Sequence, residues 1–134
     1  MQPTRQKIQS LDGDEFRRLI GSAAQCLEHN ADAINALNVF PVPDGDTGVN
    51  MLLTMRDLVK HVDALPPESP VGQVTASMAR GALLGARGNS GVILSQFFQG
   101  LATGLENCDC CSAFSIVSPN FSDSHFGTSH PPQK

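Results

Sequence analysis

The sequence contains no tryptophan and no tyrosine, so phenylalanine supplies all of its aromatic residues. It also lacks an apolar run of about 18 residues, which a helix needs to cross a membrane, so we expect no membrane span. Basic residues are outnumbered by acidic ones, and the formal net charge of −4 provides no broad positive field for nucleic acid. The first residues lack the apolar stretch of a secretory signal, so a cytoplasmic location is the expectation.

Cysteine is scarce and unevenly placed. Cys26 stands alone, whereas Cys108, Cys110 and Cys111 are crowded together. A disulfide framework spreads its cysteines through the fold, and a structural zinc site uses paired C-x-x-C spacing, so neither is indicated. Free thiols are the expected state. The length of 134 residues with 40% hydrophobic residues corresponds to one globular domain.

Hydrophobic residues recur at helical spacing in four segments, and no period of two is evident, which predicts an all-α fold. The first helix is expected to begin at a capping box formed by Asp12 and Glu15. The second is expected to begin just after Gly48. The predicted buried stripes of the four helices are Phe16, Leu19, Ile20, Ala23, Leu27, Ala31 and Ile34, then Leu52, Met55, Val59 and Val62, then Val71, Val74, Met78 and Ala82, and finally Leu94, Phe97, Phe98, Leu101 and Leu105.

Prolines mark the connections between the helices. Pro41 and Pro43 remove backbone donors, so the chain around them should be extended and stiff. A second proline-rich linker, residues 66–70, is expected to end the second helix. Within it, Ser69 is predicted to cap the third helix, with Pro70 at the first helical position, where a missing N–H does no harm.

The first motif with chemical potential places Asp44 and Asp46 on either side of Gly45. A turn there can direct both carboxylates to one point, and magnesium prefers carboxylate oxygens while leaving other positions to water and phosphate. Thr47 and Asn50 add neutral donors near a helix start, where free N–H groups favour an anion. The motif therefore fits a metal–phosphate site. A plain Asp/Gly turn that caps a helix is the alternative.

The second motif is the glycine-rich stretch from Gly85 to Gly91, whose backbone N–H groups can form an anion-binding nest. Ser90 can offer its hydroxyl to a phosphate, and Gly91 permits close approach of the backbone. The stretch has neither the Walker P-loop sequence nor a preceding strand, so it is not a P-loop or a dinucleotide fingerprint. Arg87 can contact phosphate or cap the preceding helix, and the sequence leaves both open.

Two stretches resemble a known signature: residues 35–51, N-A-L-N-V-F-P-V-P-D-G-D-T-G-V-N-M, and residues 81–96, G-A-L-L-G-A-R-G-N-S-G-V-I-L-S-Q. Their order and spacing resemble the nucleotide-binding, DhaL-type domain of the dihydroxyacetone kinase superfamily, over roughly residues 8–106. The form L-N-V-F-P-V-P-D-G-D-T-G is closer to the ATP-binding subunit of bacterial fatty acid kinase than to glycerone kinase.

This resemblance implies an antiparallel helical barrel or bundle whose loops bind ATP or ADP with Mg²⁺. Asp44 and Asp46 would be metal ligands, with Asn38 as an uncharged third. The residues facing phosphate would be Thr47, Gly48, Asn50, Gly88, Asn89, Ser90 and Gly91. The γ-phosphate would pass to an acceptor on a partner protein of the fatty-acid-binding or dihydroxyacetone-binding type.

The resemblance also sets expectations for the domain boundaries. The family domain continues through further helices, so residues 8–106 are expected to form a C-terminally truncated, partial barrel. Residues 107–134 contain no leucine and are rich in serine, proline and cysteine, which predicts a disordered or aberrant tail. The function expected is that of a Mg–ATP-dependent kinase domain. The alternative is a non-catalytic fragment that binds nucleotide or associates with other subunits, and a homodimer is left open.

Overall fold

A computed structural model of the chain describes residues 10–39 and 44–109. These residues form four α-helices and no β-strand, so the predicted all-α class is confirmed for them. The helices are α1 (Gly13–Leu37), α2 (Thr47–Asp63), α3 (Val71–Leu84) and α4 (Gly88–Gly104). None of the four combines the length and the apolar character that a membrane crossing requires.

The helices pack as an antiparallel bundle in which α2 contacts α1, α3 and α4. Arg17 near the start of α1 donates to the carbonyl oxygens of Val62 (3.3 Å) and Leu65 (3.0 Å) at the end of α2. At the other end of the pair, the side chain of Asn35 in α1 accepts a hydrogen bond from the Val49 N–H of α2 at 3.1 Å. The central position of α2 places its first turn beside two other elements.

The start of α1 shows one half of the predicted capping box, the bond to the side chain of Asp12. Asp12 has extended backbone dihedrals, and its carboxylate accepts a hydrogen bond from the Glu15 N–H at 2.8 Å, which satisfies one of the free donors of the first turn. The guanidinium of Arg17, also near the start of α1, donates to the carbonyl of Pro66, which follows the C-terminal end of α2. A cation that bonds the Val62 carbonyl in the last turn of α2, and two carbonyl groups just after the helix, stabilises the negative end of its dipole.

Two predicted helix starts need correction. Ser69 does not cap α3, because its hydroxyl donates backwards to the carbonyl of Pro66 at 2.6 Å and closes the preceding turn. Pro70 therefore occupies the cap position, in extended conformation, and α3 begins at Val71. Helix α2 begins at Thr47 and not after Gly48.

The core contains residues from all four helices and follows the predicted stripes closely. Four residues depart from them. Leu58, absent from the predicted set, is fully buried, whereas Leu19 and Ala23 of the α1 stripe are exposed, and Phe97 is exposed beside the buried Phe98. Adjacent residues on a helix point about 100° apart, so a helix at the edge of a bundle buries one of two neighbouring phenylalanines. The buried core cluster is Phe16, Ile20, Met55, Leu58, Val62, Val71, Val74, Met78, Ala82, Phe98 and Leu105.

The first residues of the predicted tail contact the start of α3. The carbonyl oxygen of Cys108 accepts a hydrogen bond from the Gly72 N–H at 2.9 Å, and that of Asp109 accepts one from the Val71 N–H at 3.2 Å. These carbonyl groups satisfy free donors of the first turn of α3. The rest of the predicted tail, from residue 110 onward, and the proline segment 40–43 lie outside the described residues.

Candidate functional site

Three polar side chains converge between the end of α1 and the start of α2. Nδ2 of Asn38, the C-cap residue directly after α1, lies 2.7 Å from Oδ1 of Asp44 and 3.4 Å from Oδ1 of Asp46. Gly45 between the two aspartates has a φ of +66°, in the left-handed region that favours glycine. The turn at Gly45 thus brings both carboxylates to one amide. Both aspartates are exposed, so a cation from solvent can reach them.

These three side chains, which we call the carboxylate cluster, fit a magnesium ion in their chemistry. Carboxylate and amide oxygens are the donors that Mg²⁺ accepts, and few protein ligands leave room for water and phosphate. No three His, Cys, Asp or Glu side chains converge in residues 10–39 and 44–109, so the third candidate ligand here is an amide. Because an amide nitrogen cannot ligate a cation, Asn38 must turn its Oδ1 towards the ion to act as a ligand.

The first turns of α2 and α4 lie side by side next to this cluster. The Ser90 hydroxyl in the first turn of α4 donates to the carbonyl oxygen of Thr47, the first residue of α2, at 3.2 Å. Neither N-cap residue, Asp46 or Arg87, caps its own helix through a side-chain hydrogen bond. Two adjacent helix N-termini with partial positive charge form a suitable environment for phosphate.

Glycines of α3 and α4 allow the close contact with α2. The glycines concerned are Gly81, Gly85, Gly88 and Gly91. A Cβ on Gly88 would lie 2.4 Å from Nδ2 of Asn50, and a Cβ on Gly91 would lie 2.4 Å from Oγ1 of Thr54. Such distances leave no room for a methyl group. The glycine spacing that the sequence suggested as an anion nest is therefore also required for helix packing.

The described structure also places the remaining candidates. Gly48 is buried against α1, where a Cβ would lie 2.2 Å from the Ala31 carbonyl oxygen, so its packing role is evident. Asn89 is exposed in the first turn of α4, and α4 begins at Gly88, so only residues 85–87 of the predicted loop lie between helices. Each candidate site residue therefore lies at the end of the bundle where α2 and α4 begin.

Arg87 does not cap the preceding helix, which was one of the two roles that the sequence left open, and a contact with phosphate stays a prediction. In the described structure α3 is closed by the backbone, through the Gly85 N–H to the Gly81 carbonyl oxygen at 2.9 Å. The Arg87 guanidinium instead lies 3.9 Å from a carboxylate oxygen of Asp57, and its side chain is 59% exposed. Arg87 thus provides an exposed cation immediately before the first turn of α4.

Sequence reasoning missed three residues that support the site: Asn35, Thr54 and Asp57. Asn35 holds the Val49 N–H, Thr54 accepts a hydrogen bond from the Arg87 N–H at 3.1 Å, and Asp57 pairs with Arg87. Two of the three, Thr54 and Asp57, could have been found from the sequence. They recur at helical spacing with Thr47 and Asn50, and this spacing marks a polar face of α2.

The sequence profile of the DAK2 domain matches residues 41–119. Protein YloV of Bacillus subtilis (strain 168) is 50% identical over 99 residues, which cover 74% of this chain and 18% of YloV. An uncharacterized protein of Staphylococcus saprophyticus is 43% identical over 106 residues (79% of this chain, 19% of the relative).

An uncharacterized protein of Staphylococcus aureus (strain USA300) is 45% identical over 100 residues, which cover 75% of this chain and 18% of the relative. The matches to these curated relatives thus span less than a fifth of their length.

Proposed function

The chain belongs to the DAK2 domain family, and from this premise we propose that it is a Mg–ATP-binding domain of a kinase. The observation that carries the proposal is the meeting of two motifs that lie far apart in the sequence. Ser90 of the second motif bonds Thr47 of the first across 43 positions, directly beside the carboxylate cluster. An acidic metal site next to two helix N-termini matches the opposite charges of magnesium and phosphate.

We assign the metal to the carboxylate cluster, with Asp44 and Asp46 as charged ligands and Asn38 as a neutral one. Bound Mg²⁺ would neutralise charge on the phosphates. The residues of this chain position the phosphate: the N–H groups at the start of α4 hold phosphate oxygens in place, and the Ser90 hydroxyl would join them by turning its proton from the Thr47 carbonyl to phosphate. The proposed phosphate-facing residues are Thr47, Gly48, Asn50, Gly88, Asn89, Ser90 and Gly91.

Phosphoryl transfer suits such a site because it depends on positioning and charge neutralisation and needs no covalent protein nucleophile. We propose that residues 8–106 carry the nucleotide and that the acceptor is held by a partner protein. The form of the first motif supports a fatty-acid-binding partner before a dihydroxyacetone-binding one. In that reaction a fatty acid carboxylate oxygen bonds to the γ-phosphorus, the bond to the β-phosphate oxygen breaks, and an acyl phosphate and ADP result.

The second candidate function is nucleotide binding or subunit association without turnover. The exposed apolar side chains of Ile93 (70% exposed) and Phe97 (63%) on α4 favour association with another surface. The two functions differ in one measurable respect. The kinase transfers phosphate when a partner with its acceptor is added, whereas the non-catalytic fragment transfers no phosphate even if it binds nucleotide.

Calorimetric titration with ATP tests the proposal. We expect binding that requires Mg²⁺ and is abolished by EDTA. The Asp44→Asn/Asp46→Asn double variant should bind Mg–ATP at least about tenfold more weakly, as expected when metal-binding groups are lost. The control is Asp63→Asn, which removes an exposed carboxylate at the opposite end of α2 and should leave the affinity unchanged.

Equal affinities of the wild type and the double variant, with both folded by circular dichroism, would contradict the metal assignment. A folded wild type that binds no ATP in the presence of Mg²⁺ would refute the nucleotide-binding proposal itself. If binding is found, phosphate transfer is then measured with a fatty-acid-loaded partner and, separately, with a dihydroxyacetone-loaded one.

A further inference from the structure

Thr54 is a fully buried polar residue in the middle of α2, with 0% of its surface exposed. Its hydroxyl makes two hydrogen bonds. It donates to the carbonyl oxygen of Asn50 in its own helix at 2.8 Å, and it accepts from the backbone N–H of Arg87 at 3.1 Å. A hydroxyl has one proton to donate, so the donor is used within the helix while a lone pair serves the second element.

The bond to Arg87 joins α2 to the residue that immediately precedes α4. Thr54 also contacts α4 itself, because Gly91 approaches so closely that a Cβ there would lie 2.4 Å from the hydroxyl oxygen. The segment from Arg87 to Gly91 is therefore held by Thr54 at its first and last residues. Between these two contacts lie the three residues whose N–H groups open the helix, Gly88, Asn89 and Ser90.

Thr75 provides an internal comparison. It is also 0% exposed, and its hydroxyl lies 3.0 Å from the Val71 carbonyl oxygen and 3.2 Å from that of Gly72. Both partners belong to α3, the helix that contains Thr75. A buried threonine can thus be satisfied entirely within its own helix. The bond from Arg87 to Thr54 is an additional contact between elements, and it occurs at the candidate site.

We propose that Thr54 is a positioning residue for phosphate, whose hydroxyl fixes the start of α4 against the middle of α2 and so keeps the first turns of the two helices adjacent. This inference rests on the proposed nucleotide site. Thr54 does not contact the nucleotide in this proposal. It acts through the backbone of Arg87 and the close approach of Gly91, so that the N–H groups of α4 and the Ser90 hydroxyl keep their place beside Thr47.

Three variants separate this role from simple packing. Thr54→Val keeps the shape and removes the hydroxyl, Thr54→Ser keeps the hydroxyl, and Thr75→Val removes a buried hydroxyl away from the site. Two quantities are measured for each: the affinity for Mg–ATP by calorimetry and the hydrogen exchange rate of the Arg87 amide by NMR. Resistance to urea is recorded alongside.

In Thr54→Val we expect the Arg87 amide to exchange about tenfold faster and Mg–ATP to bind about tenfold more weakly, as loss of a hydrogen bond at a buried site implies. Thr54→Ser should restore most of both. Thr75→Val should lower resistance to urea yet keep the wild-type affinity and the wild-type exchange at Arg87.

The inference is overturned if Thr54→Val binds Mg–ATP as the wild type does, or if Thr75→Val weakens binding equally. If the wild type binds no nucleotide, the proposed function fails, and exchange at Arg87 still decides whether the hydroxyl holds α4. If Thr54→Val does not fold, Gly91→Ala displaces α4 from the same hydroxyl. Unchanged Mg–ATP affinity in that folded variant would equally overturn the inference.

Discussion

At the scale of single residues, Asn38 occupies a position between two like charges. Its amide N–H group bonds Asp44 and lies within reach of Asp46, so a partial positive charge separates the two carboxylates. A cation that binds there would replace this partial charge by a full one. Asn38 would then turn its carbonyl oxygen inward, since only that atom can ligate.

The variant Asn38→Asp tests this role. A third carboxylate removes the amide donor and adds repulsion, so we expect a lower melting temperature without Mg²⁺. Affinity for Mg²⁺ should rise by about tenfold, because cation affinity increases with the charge of the ligand set. Thermal melts and calorimetry across a Mg²⁺ titration measure both effects.

The control for Asn38→Asp is Gln25→Glu, which makes the same change of charge on the exposed side of α1. It should alter neither the Mg²⁺ affinity nor the response of melting to Mg²⁺. An Asn38→Asp protein that binds Mg²⁺ no more tightly than this control would show that Asn38 lies outside the cation's coordination sphere.

The convergence of the carboxylate cluster could be predicted from the sequence. All three residues lie within nine positions, so a single turn can bring them together whatever the rest of the fold. Thr54 could not be found in the same way. Its partner Arg87 lies 33 positions away, and their contact depends on which face of α2 receives α4. Helical periodicity identifies a polar face but does not indicate what packs on it.

At the scale of helices, Gly48 determines how closely α1 and α2 approach at the site. A Cβ on Gly48 would lie 2.2 Å from the Ala31 carbonyl oxygen and 2.9 Å from Oδ1 of Asn35. Neither the backbone carbonyl nor the bonded amide can move freely. Gly21 in α1 is the opposite case, because a Cβ there would have no atom of another element within 4 Å.

We expect Gly48→Ala to lower the free energy of unfolding by about 2 kcal/mol, because the added methyl forces the two helices apart. Gly21→Ala should raise it by about 0.5 to 1 kcal/mol, since alanine loses less backbone entropy in a helix interior. Urea unfolding measures both. A Gly48→Ala protein that is at least as stable as the wild type would show that the approach of α1 to α2 is not limiting at Gly48.

The sequence predicted the number and order of the helices, but it placed some helix ends and some buried residues wrongly. The cap at Asp12 was predictable because carboxylate and N–H lie three residues apart. Ser69 was misassigned because a serine before a helix can bond forwards to a free N–H or backwards to a turn carbonyl, and local sequence does not distinguish them. Leu58 was missed because its neighbour Val59 was predicted for that turn of α2, although Met55 and Val62 of the same stripe are buried as predicted.

At the scale of the whole molecule, α4 carries an apolar surface that no described residue covers. Ile93 and Phe97 are largely exposed, and together with Met51, Ser90 and Leu94 they line a shallow cavity of about 320 Å³ between α2 and α4. Contiguous apolar surface of this kind favours association.

We expect the isolated chain to self-associate with increasing concentration and the Ile93→Lys/Phe97→Lys variant to remain monomeric. Lysine keeps the helix while placing charge in the contact. Sedimentation velocity over a range of concentrations measures this, with circular dichroism to confirm helix content. Gln96→Lys/Gln99→Lys adds the same charge at exposed polar positions of α4 and should associate as the wild type does.

If the Gln96→Lys/Gln99→Lys control is as monomeric as the Ile93→Lys/Phe97→Lys variant, net charge and not apolar contact governs association. A wild type that is monomeric at every concentration would leave the homodimer expectation without support.

The all-α class and the convergence of two motifs could be predicted for the molecule as a whole. The central place of α2 could not, because periodicity within each helix carries no information about which helices become neighbours. The matched region also spans less than a fifth of the length of the relatives named above.

The contacts along α2 also suggest an order of assembly. Near the turn between α2 and α3, Ser77 bonds His61 across 16 positions, whereas Arg87 reaches Thr54 across 33 and Ser90 reaches Thr47 across 43. Since closing a longer loop loses more chain entropy, the pairing should proceed from that turn towards the candidate site. The site would then form late in folding, and interactions made there would govern how fast the native state opens more than how fast it is reached.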